Sequence, residues 1–415
     1  MSHTGTTTSR LRVQALLVSA ALAANNAASY LLTVIAARLL SPSLFGELGA
    51  LLALMVIGVV PAMGLQTVVA LRVAAERADG GTVRLGRVLT LGLTTTAAVT
   101  VSAAALSPVV AVVLRLDGVG QALWLALSLA PLSLLGLFHG ILQGTGRFHR
   151  LAGMIGLEAL GKAGGGLVGL VVFGTTSATV AGIALGSAVV AVAGWVACGS
   201  PRPEGSVRGA GAVVHAAQAM LALVLLVNLD LVLARYFLSA PEAGEYAVGA
   251  TLTKIAFWLP SAVGVLVLPR LAATAGRGRT VGLALAVCAG LDAVVVVAAA
   301  CFGPELAVLI GGQAYAGADL PMWRFAAVGS LLALVQILLF SRIATGDRRS
   351  ARLIWLAVAA EVALVAAVLH GDVGEVVTAA VVATGLLVVA GAAVEWRGFV
   401  RRDNGLCVRA NAGRG

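Results

Sequence analysis

Residues 38–48 read Arg-Leu-Leu-Ser-Pro-Ser-Leu-Phe-Gly-Glu-Leu, and residues 235–246 read Arg-Tyr-Phe-Leu-Ser-Ala-Pro-Glu-Ala-Gly-Glu-Tyr. The two arginines are 197 positions apart, and the two Gly-Glu pairs are 198 positions apart. A Thr-Gly pair at 145–146 returns at 345–346, a separation of 200. Because one period accounts for anchors spread along the chain, the sequence predicts two copies of a unit of about 200 residues.

Both copies are strongly apolar. Hydrophobic residues make up 60% of the chain and charged residues 11%, whereas soluble domains carry about 25% charged residues. The mean hydropathy is +1.01, and apolar runs of roughly 20 residues, long enough to cross a bilayer, recur throughout. Twelve such runs are predicted, at 13–37, 46–71, 88–114, 121–143, 153–173, 179–199, 210–234, 244–268, 281–302, 321–342, 353–370 and 375–396.

Six runs fall in each copy, and an even number means that both copies enter the membrane from the same side. The sequence therefore predicts an all-α polytopic membrane protein, with about 12 transmembrane helices in two parallel six-helix repeats around a central cavity. Duplicated apolar halves of this kind are common in secondary transporters, which bind their substrate between the halves.

Positive charges alternate between the two ends of the predicted spans. Of the 28 Lys and Arg residues, 22 fall in the N-terminal tail and the even-numbered loops. Three lie in odd-numbered loops and three within spans: Arg38, Arg115 and Arg235, then Lys162, Lys254 and Arg324. Cationic loops are retained in the cytoplasm, so we expect a multi-pass protein of the cell membrane with both termini cytoplasmic. The net charge of +10 thus reflects topology, and no nucleic-acid partner is expected because the basic loops are short and lack aromatics.

A Pro/Gly-rich stretch at 199–206 predicts the boundary between two lobes. The N-terminal six-helix lobe is 1–205, and the C-terminal six-helix lobe with a short cytoplasmic tail is 206–415. The longest predicted outer loop, 303–320, is too short for a catalytic domain, and a near-match to a phosphate-binding loop at 156–163 lacks its final Ser or Thr. Cys and His residues have no metal-ligand spacing. We therefore expect no enzyme activity, no catalytic residue, no metal and no cofactor.

The chain's two lysines lie inside predicted spans, where a charge is costly and marks a candidate functional site. Lys162 follows Glu158 by one helical turn. It lies beside a stripe of Gly161, Gly165 and Gly169, a spacing that lets another helix approach closely. Two readings stay open: Lys162 pairs with Glu158 alone, or it also binds a substrate anion.

Lys254 is predicted about ten residues from the outer end of its span, at a depth of roughly 15 Å and thus near the midplane. No acid lies one turn away on the same helix. A substrate-contact role is therefore favoured over a long-range ion pair. The acids considered for such a pair are Asp230, Asp292 and Glu361.

Arg38 and Arg235 are equivalent in the repeat and lie at the outer ends of the first and seventh predicted spans. A planar guanidinium suits phosphate or carboxylate recognition, so both are candidate substrate-binding residues, with a structural or lipid-headgroup role equally open. Four acids lie within spans and are candidates for charge pairing or for binding a coupling H⁺ or Na⁺. They are Glu158, Asp230, Asp292 and Glu361.

Several short motifs carry a resemblance to a known family. They are Ala-Arg-Leu-Leu-Ser-Pro-x-x-Phe-Gly at 37–46, Asn-Leu-Asp-x-x-Leu-Ala-Arg at 228–235, Ala-Gly-Glu-Tyr at 243–246 and Leu-Pro-Arg at 268–270. The ordered set spans both halves and resembles the polysaccharide-flippase branch of the multidrug/oligosaccharidyl-lipid/polysaccharide exporter superfamily. The resemblance implies twelve or more helices in two lobes around a cavity of alternating access.

The same resemblance implies movement of undecaprenyl-diphosphate-linked oligosaccharides, as polysaccharide precursors, from the inner to the outer leaflet. Cavity cations, Lys162 and Lys254 first, would meet the diphosphate. The expected partners are the lipid-linked glycan and membrane lipids, with polysaccharide polymerase and glycosyltransferases as further candidates. Which ion, H⁺ or Na⁺, is coupled to transport stays open.

Two alternatives remain at this point. The first is an ion-coupled multidrug exporter of the same superfamily, which often uses an acidic residue in the first span, where this chain has Asn25 and Asn26. Cavity lysines would also disfavour cationic drugs. The second is a non-transporting membrane scaffold, which has no need for a charge near the midplane such as Lys254.

Overall fold

The computed structural model describes residues 3–80, 84–205, 209–272, 277–343 and 349–412, and over these ranges the chain is helical, with no β-strand. The helices are α1 (His3–Leu39), α2 (Pro42–Gly58), α3 (Val60–Ala78), α4 (Leu85–Val113), α5 (Val119–Gly144), α6 (Phe148–Phe173), α7 (Thr176–Ala197), α8 (Ala210–Phe237), α9 (Ala240–Ala272), α10 (Arg277–Cys301), α11 (Gly303–Gly311), α12 (Met322–Ile343), α13 (Arg349–Ala367) and α14 (Val373–Ala412). The predicted all-α fold is confirmed.

In the described part of the chain, nine helical segments are long and apolar enough to cross a membrane. The helices α10 and α11 meet at an angle of 90° and make a tenth span if they are taken together. These ten coincide with ten of the twelve predicted spans, and α9 and α13 coincide with the other two, predicted at 244–268 and 353–370. The protein is therefore a multi-pass, all-α membrane protein.

Local sequence sets several helix ends. Pro42 is the first residue of α2, a position where its missing N–H is not needed. The second span is broken at Val59, and Pro61 lies in the first turn of α3, because a proline ring excludes a continuous helix before it. Gly174 ends α6 with φ of 63°, and the Thr175 side chain then caps α7.

The chain divides into two compact units, Met1–Ala247 and Val248–Gly415. In the first unit, α5 packs against α3, α4 and α7, α6 packs against α1 and α7, and α8 packs against α2 and α3. In the second unit, α12 packs against α10 and α14, and α13 packs against α14. The compact first unit thus includes α8, whereas the predicted lobe boundary at 205/206 concerns the sequence repeat and stays a prediction.

The glycine stripe on α6 is the surface that α7 approaches. A Cβ atom at Gly161 would lie 2.8 Å from the carbonyl oxygen of Gly186, and one at Gly165 would overlap the carbonyl of Gly182. Only glycine leaves room for this backbone-to-backbone contact. The close helix approach predicted from the spacing of these glycines is confirmed, and its partner is α7.

The two copies of the repeat motif meet inside the first unit. A Cβ atom at Gly46, on α2, would lie 2.7 Å from the backbone nitrogen of Gly244, at the start of α9. A Cβ atom at Gly244 would in turn overlap the carbonyl of Pro42. The glycines of the two Gly-Glu pairs that indicate the repeat in the sequence thus lie in a close backbone contact between α2 and α9.

Candidate functional site

The first charged cluster lies within the first unit, on α5 and α6. The Nε2 atom of His139 is 3.8 Å from Oε2 of Glu158. Lys162, one turn further along α6, is within the electrostatic influence of Glu158, but no direct ion pair joins the two in the described structure. His139 is buried, with 6% of its surface exposed, and Glu158 and Lys162 are half-buried. The sequence predicted that the Glu158 carboxylate pairs with Lys162. The structure shows that the same carboxylate also lies close to a histidine of the neighbouring helix α5.

A buried amide lies on α1, the helix that packs against α6. The side chain of Leu32, on α1, packs where a Cβ at Gly166 of α6 would stand. Asn25 lies on α1 two turns before Leu32. The Oδ1 atom of Asn25 is buried without a hydrogen-bond partner in the described part of the chain.

A second cluster surrounds Glu47, at the end of the unit where α2, α5 and α7 begin. Glu47 is only 3% exposed. Its Oε1 atom accepts a hydrogen bond from Gln121 Nε2 at 3.2 Å and a short one from the Thr176 hydroxyl. Its Oε2 atom lies 3.8 Å from Nη2 of Arg235. Three helices therefore converge on one buried carboxylate.

Arg235 extends the cluster to the turn after α4. Its Nε atom donates to the Leu114 carbonyl at 2.9 Å, and Nη2 donates to the Arg115 carbonyl at 3.3 Å. Arg115 in turn donates to the Leu238 carbonyl at 3.1 Å. Arg38, the repeat equivalent of Arg235, is exposed at the end of α1. The two equivalent arginines therefore have different surroundings, and a substrate-binding role for either stays a prediction.

Asp230 lies on α8 and is held by the second copy of the repeat motif. The hydroxyl of Tyr246 donates to Asp230 Oδ2 at 2.9 Å, and the backbone nitrogen of Leu231 donates to Oδ1 at 2.8 Å. Both Asp230 and Tyr246 are buried. The Asn-Leu-Asp and Ala-Gly-Glu-Tyr motifs are thereby connected through side chains.

The second unit holds the remaining candidates. Asp292, on α10, is buried and faces the Ser330 hydroxyl on α12 without a well-formed hydrogen bond. Glu361 is buried on α13. Lys254 is half-buried on α9, next to Thr253, whose hydroxyl donates to a carbonyl of α12. The proposed binding of substrate or of a coupling ion by these residues stays a prediction.

Sequence reasoning missed His139 and Glu47. His139 has no charged neighbour along α5, and Glu158 reaches it only because α5 and α6 pack together. Glu47 was visible as part of the repeated Gly-Glu pair, but its partners Gln121 and Thr176 are 74 and 129 positions away. The repetition marked Glu47 as an anchor of the repeat without revealing that it binds these two side chains.

No protein-family model matches the sequence, and no curated protein matches it by sequence comparison. Solved structures do match by fold. The lipid II flippase MurJ in an inward closed conformation aligns with a TM-score of 0.73 at 11% identity, covering 91% of this chain and 86% of that one. An inward-facing multidrug resistance MATE transporter of the MOP superfamily aligns with a TM-score of 0.65 at 15% identity, over 89% of this chain and 94% of that one.

An outward-facing MATE transporter aligns with a TM-score of 0.62 at 14% identity, covering 94% of this chain and 96% of that one. At identities this low, the TM-scores show a shared fold and nothing finer. The coverage shows that the similarity extends over nearly the whole of each chain. The chain has the fold of the MOP-superfamily transporters, among them MATE exporters and MurJ.

Proposed function

We propose that this chain is a transporter of the bacterial inner membrane that moves an undecaprenyl-diphosphate-linked oligosaccharide, a precursor of cell-envelope polysaccharide, from the inner to the outer leaflet. The observation that carries the proposal is the fold shared along nearly the whole chain with MurJ, described as a lipid II flippase, and with MATE transporters. On this proposal the protein works by alternating access, with the N- and C-termini in the cytoplasm and the substrate bound between two lobes.

The placement of positive charge supports an anionic cargo. Lys162 is half-buried on α6, and Lys254 is half-buried on α9. Within a low-dielectric region, an ammonium group attracts a diphosphate far more strongly than it does in water. A cationic drug would meet repulsion from the same groups.

The first helix supports the same choice between cargoes. Its midsection carries Asn25 and Asn26 in place of an acid, and no acidic residue occurs anywhere between His3 and Leu39. An amide can hydrogen-bond a sugar or a phosphate oxygen, but it supplies no negative charge for an organic cation. The multidrug exporter, which the MATE likeness keeps as the second candidate, is therefore the less favoured one.

The transport step needs no covalent chemistry from the protein. The diphosphate headgroup would exchange its hydration for cationic and hydrogen-bonding side chains, while the polyprenyl tail stays in lipid. An anionic substrate would supply a counter-charge to a half-buried lysine. The free energy of the loaded state would therefore be lower than that of the empty state. Polymerase and glycosyltransferases would act before and after this step as partners.

Chemical analysis of lipid-linked glycans in cells depleted of the protein tests the proposal. Accumulation of one undecaprenyl-linked glycan, with loss of its surface product, is the expected result. Unchanged lipids together with new sensitivity to cationic drugs would favour the multidrug exporter instead. Unchanged lipids and unchanged drug sensitivity would favour a non-transporting scaffold.

A further inference from the structure

We propose that His139 is a proton-binding site of the first unit and that its protonation controls anion binding by Lys162 through the shared carboxylate of Glu158. The inference deepens the proposed function and rests on it for the nature of the anion, a diphosphate. It also names the proton, in place of sodium, as the ion taken up by this unit.

Glu158 has two neighbours that can carry positive charge, one on α5 and one on its own helix. His139 Nε2 lies 3.8 Å from Glu158 Oε2, and it has no hydrogen-bond partner in the described structure. Lys162 lies one turn along α6 and is acted on by the same carboxylate. One negative charge is thus available for two positive charges.

Two charge states follow from this arrangement. When His139 is neutral, Glu158 balances Lys162 and the cluster has no net charge. When His139 is protonated, Glu158 is drawn to the imidazolium at 3.8 Å, and the cluster carries one net positive charge. Since Lys162 is then uncompensated, the protonated state attracts an anion more strongly. Proton uptake and diphosphate binding therefore reinforce each other.

The other charged groups lie toward the helix ends. The turn between α5 and α6 carries Arg147, and the first turn of α6 carries Arg150, whose Nη1 donates to the Ala197 carbonyl at 3.3 Å. The remaining helices that pack against α5 carry their charges near the helix ends, at Arg72, Glu76 and Arg77 on α3, Arg87 on α4 and Glu47 on α2. Next to Gly140, which follows His139 on α5, α3 places the uncharged residues Gln66 and Val69. At the end of α7, the Cys198 thiol lies against the Phe138 carbonyl. The helix α1 contributes the Asn25 amide. Only Glu158 and Lys162 place charge along the middle of α6.

The composition of the cluster favours a proton over a metal ion. It offers one imidazole nitrogen and one carboxylate, and no group of three such ligands that could hold a metal occurs among the described residues. Sodium prefers several oxygen ligands, and a neighbouring ammonium group would repel it. A buried imidazole beside a carboxylate is the group most readily tuned to exchange a proton near neutral pH.

The first experiment measures the proton site without any substrate. The full-length protein, with ¹⁵N-labelled histidine, is titrated by NMR between pH 5 and pH 8.5, and His139→Gln assigns the signal. His139 is expected to titrate in this range. At fixed pH its protonated fraction should fall at least threefold in Glu158→Gln and rise in Lys162→Met. His149→Gln changes an exposed histidine at the start of α6 and is the control for the assignment, since it should leave the His139 signal in place.

The second experiment measures the linkage to the anion. Binding of farnesyl diphosphate to the protein in nanodiscs is followed by calorimetry in buffers of different ionisation enthalpy. Near pH 7 the wild type should take up as much as one proton per diphosphate bound. Its dissociation constant should rise by as much as about tenfold per pH unit above the midpoint of the His139 titration. His139→Gln should lose both effects, and His149→Gln should keep them.

The outcomes separate the two proposals. A His139 that stays neutral throughout the titration, or one that ignores both Glu158→Gln and Lys162→Met, overturns the proton site whatever the substrate is. Binding of farnesyl diphosphate without proton uptake overturns the linkage while leaving the proposed function intact. A titrating His139 in a protein that binds no diphosphate at any pH supports the proton site and counts against the proposed substrate.

Discussion

Replacing Glu47 by Gln is expected to destabilise the first unit because it leaves a buried arginine without its counter-charge. Glu47 and Arg235 are 4% and 6% exposed at their side chains and 3.8 Å apart. The same carboxylate accepts hydrogen bonds from Gln121 and Thr176. Water cannot reach the group left behind, so the loss is not offset by solvation.

The expected magnitude follows from these contacts. Removing one partner of a buried ion pair costs about 3–5 kcal/mol. Arg235 keeps two carbonyl acceptors, at Leu114 and Arg115, which lowers the loss toward the smaller value. The Gln side chain also retains one oxygen for Gln121 or Thr176. A decrease of about 3 kcal/mol in the free energy of unfolding is therefore expected.

Unfolding in mixed micelles of a mild detergent and sodium dodecyl sulfate measures this quantity. Glu204→Gln is the matched control, because Glu204 belongs to the same unit, is exposed, and bonds through its backbone atoms. It should change the free energy of unfolding by less than about 0.5 kcal/mol. The double variant Glu47→Gln with Arg235→Met should lose less than the sum of the two single variants, since neither charge is then left alone.

Additive losses in the double variant, or a Glu47→Gln protein as stable as the Glu204→Gln control, would refute this account of the cluster. The first result would mean that the two charges do not interact energetically. The second would mean that solvent or a rearranged Arg235 compensates for the missing charge.

Three further outcomes are expected. Lys254→Ala should abolish glycan export at unchanged protein abundance, and Lys254→Arg should restore part of it; full export by the Ala variant, scored by surface glycan, would exclude substrate contact. Gly165→Ala should cost about 1–3 kcal/mol in detergent unfolding because its Cβ would overlap α7, whereas Gly164→Ala, with open space around it, should be neutral; equal stabilities would contradict the close packing. Arg324→Met should lower the free energy of unfolding by about 1–3 kcal/mol in the same assay. The reason is that Arg324 Nη1 donates to the Gly374 carbonyl and to the Thr378 hydroxyl of α14, each at 3.1 Å. An unchanged stability would show that this link between α12 and α14 is not needed.

Apolar runs of membrane-spanning length were sufficient to predict the multi-pass helical fold, and nine or ten of the twelve predicted spans meet the length and hydropathy of a membrane crossing in the described residues. The reason is that a bilayer leaves few choices: each crossing needs about 20 apolar residues, and its backbone must be hydrogen-bonded within the segment. The glycines at 161, 165 and 169 were equally informative, because small residues four apart allow another helix to approach closely. Their partner helix, α7, could not be named from the spacing.

Charged residues were harder to interpret. Glu158 and Lys162 were expected to form a pair because they are one turn apart, and the structure adds His139 from another helix. Glu47 looked like a marker of the repeat and is the centre of a buried cluster. In both cases the decisive partner comes from a distant part of the chain, where no local rule applies.

The sequence by itself determined that this is a duplicated, multi-pass helical membrane protein, because hydrophobicity, repetition and the placement of glycine act over one or a few helical turns. Tertiary structure alone decided which helices meet and hence which charges share a neighbour. Glu158 lies 3.8 Å from His139, and Glu47 lies 3.8 Å from Arg235, because packing brings separate helices within a few ångströms. The strength of an electrostatic interaction depends on the distance between the charges and on their burial, and neither quantity can be read from the sequence.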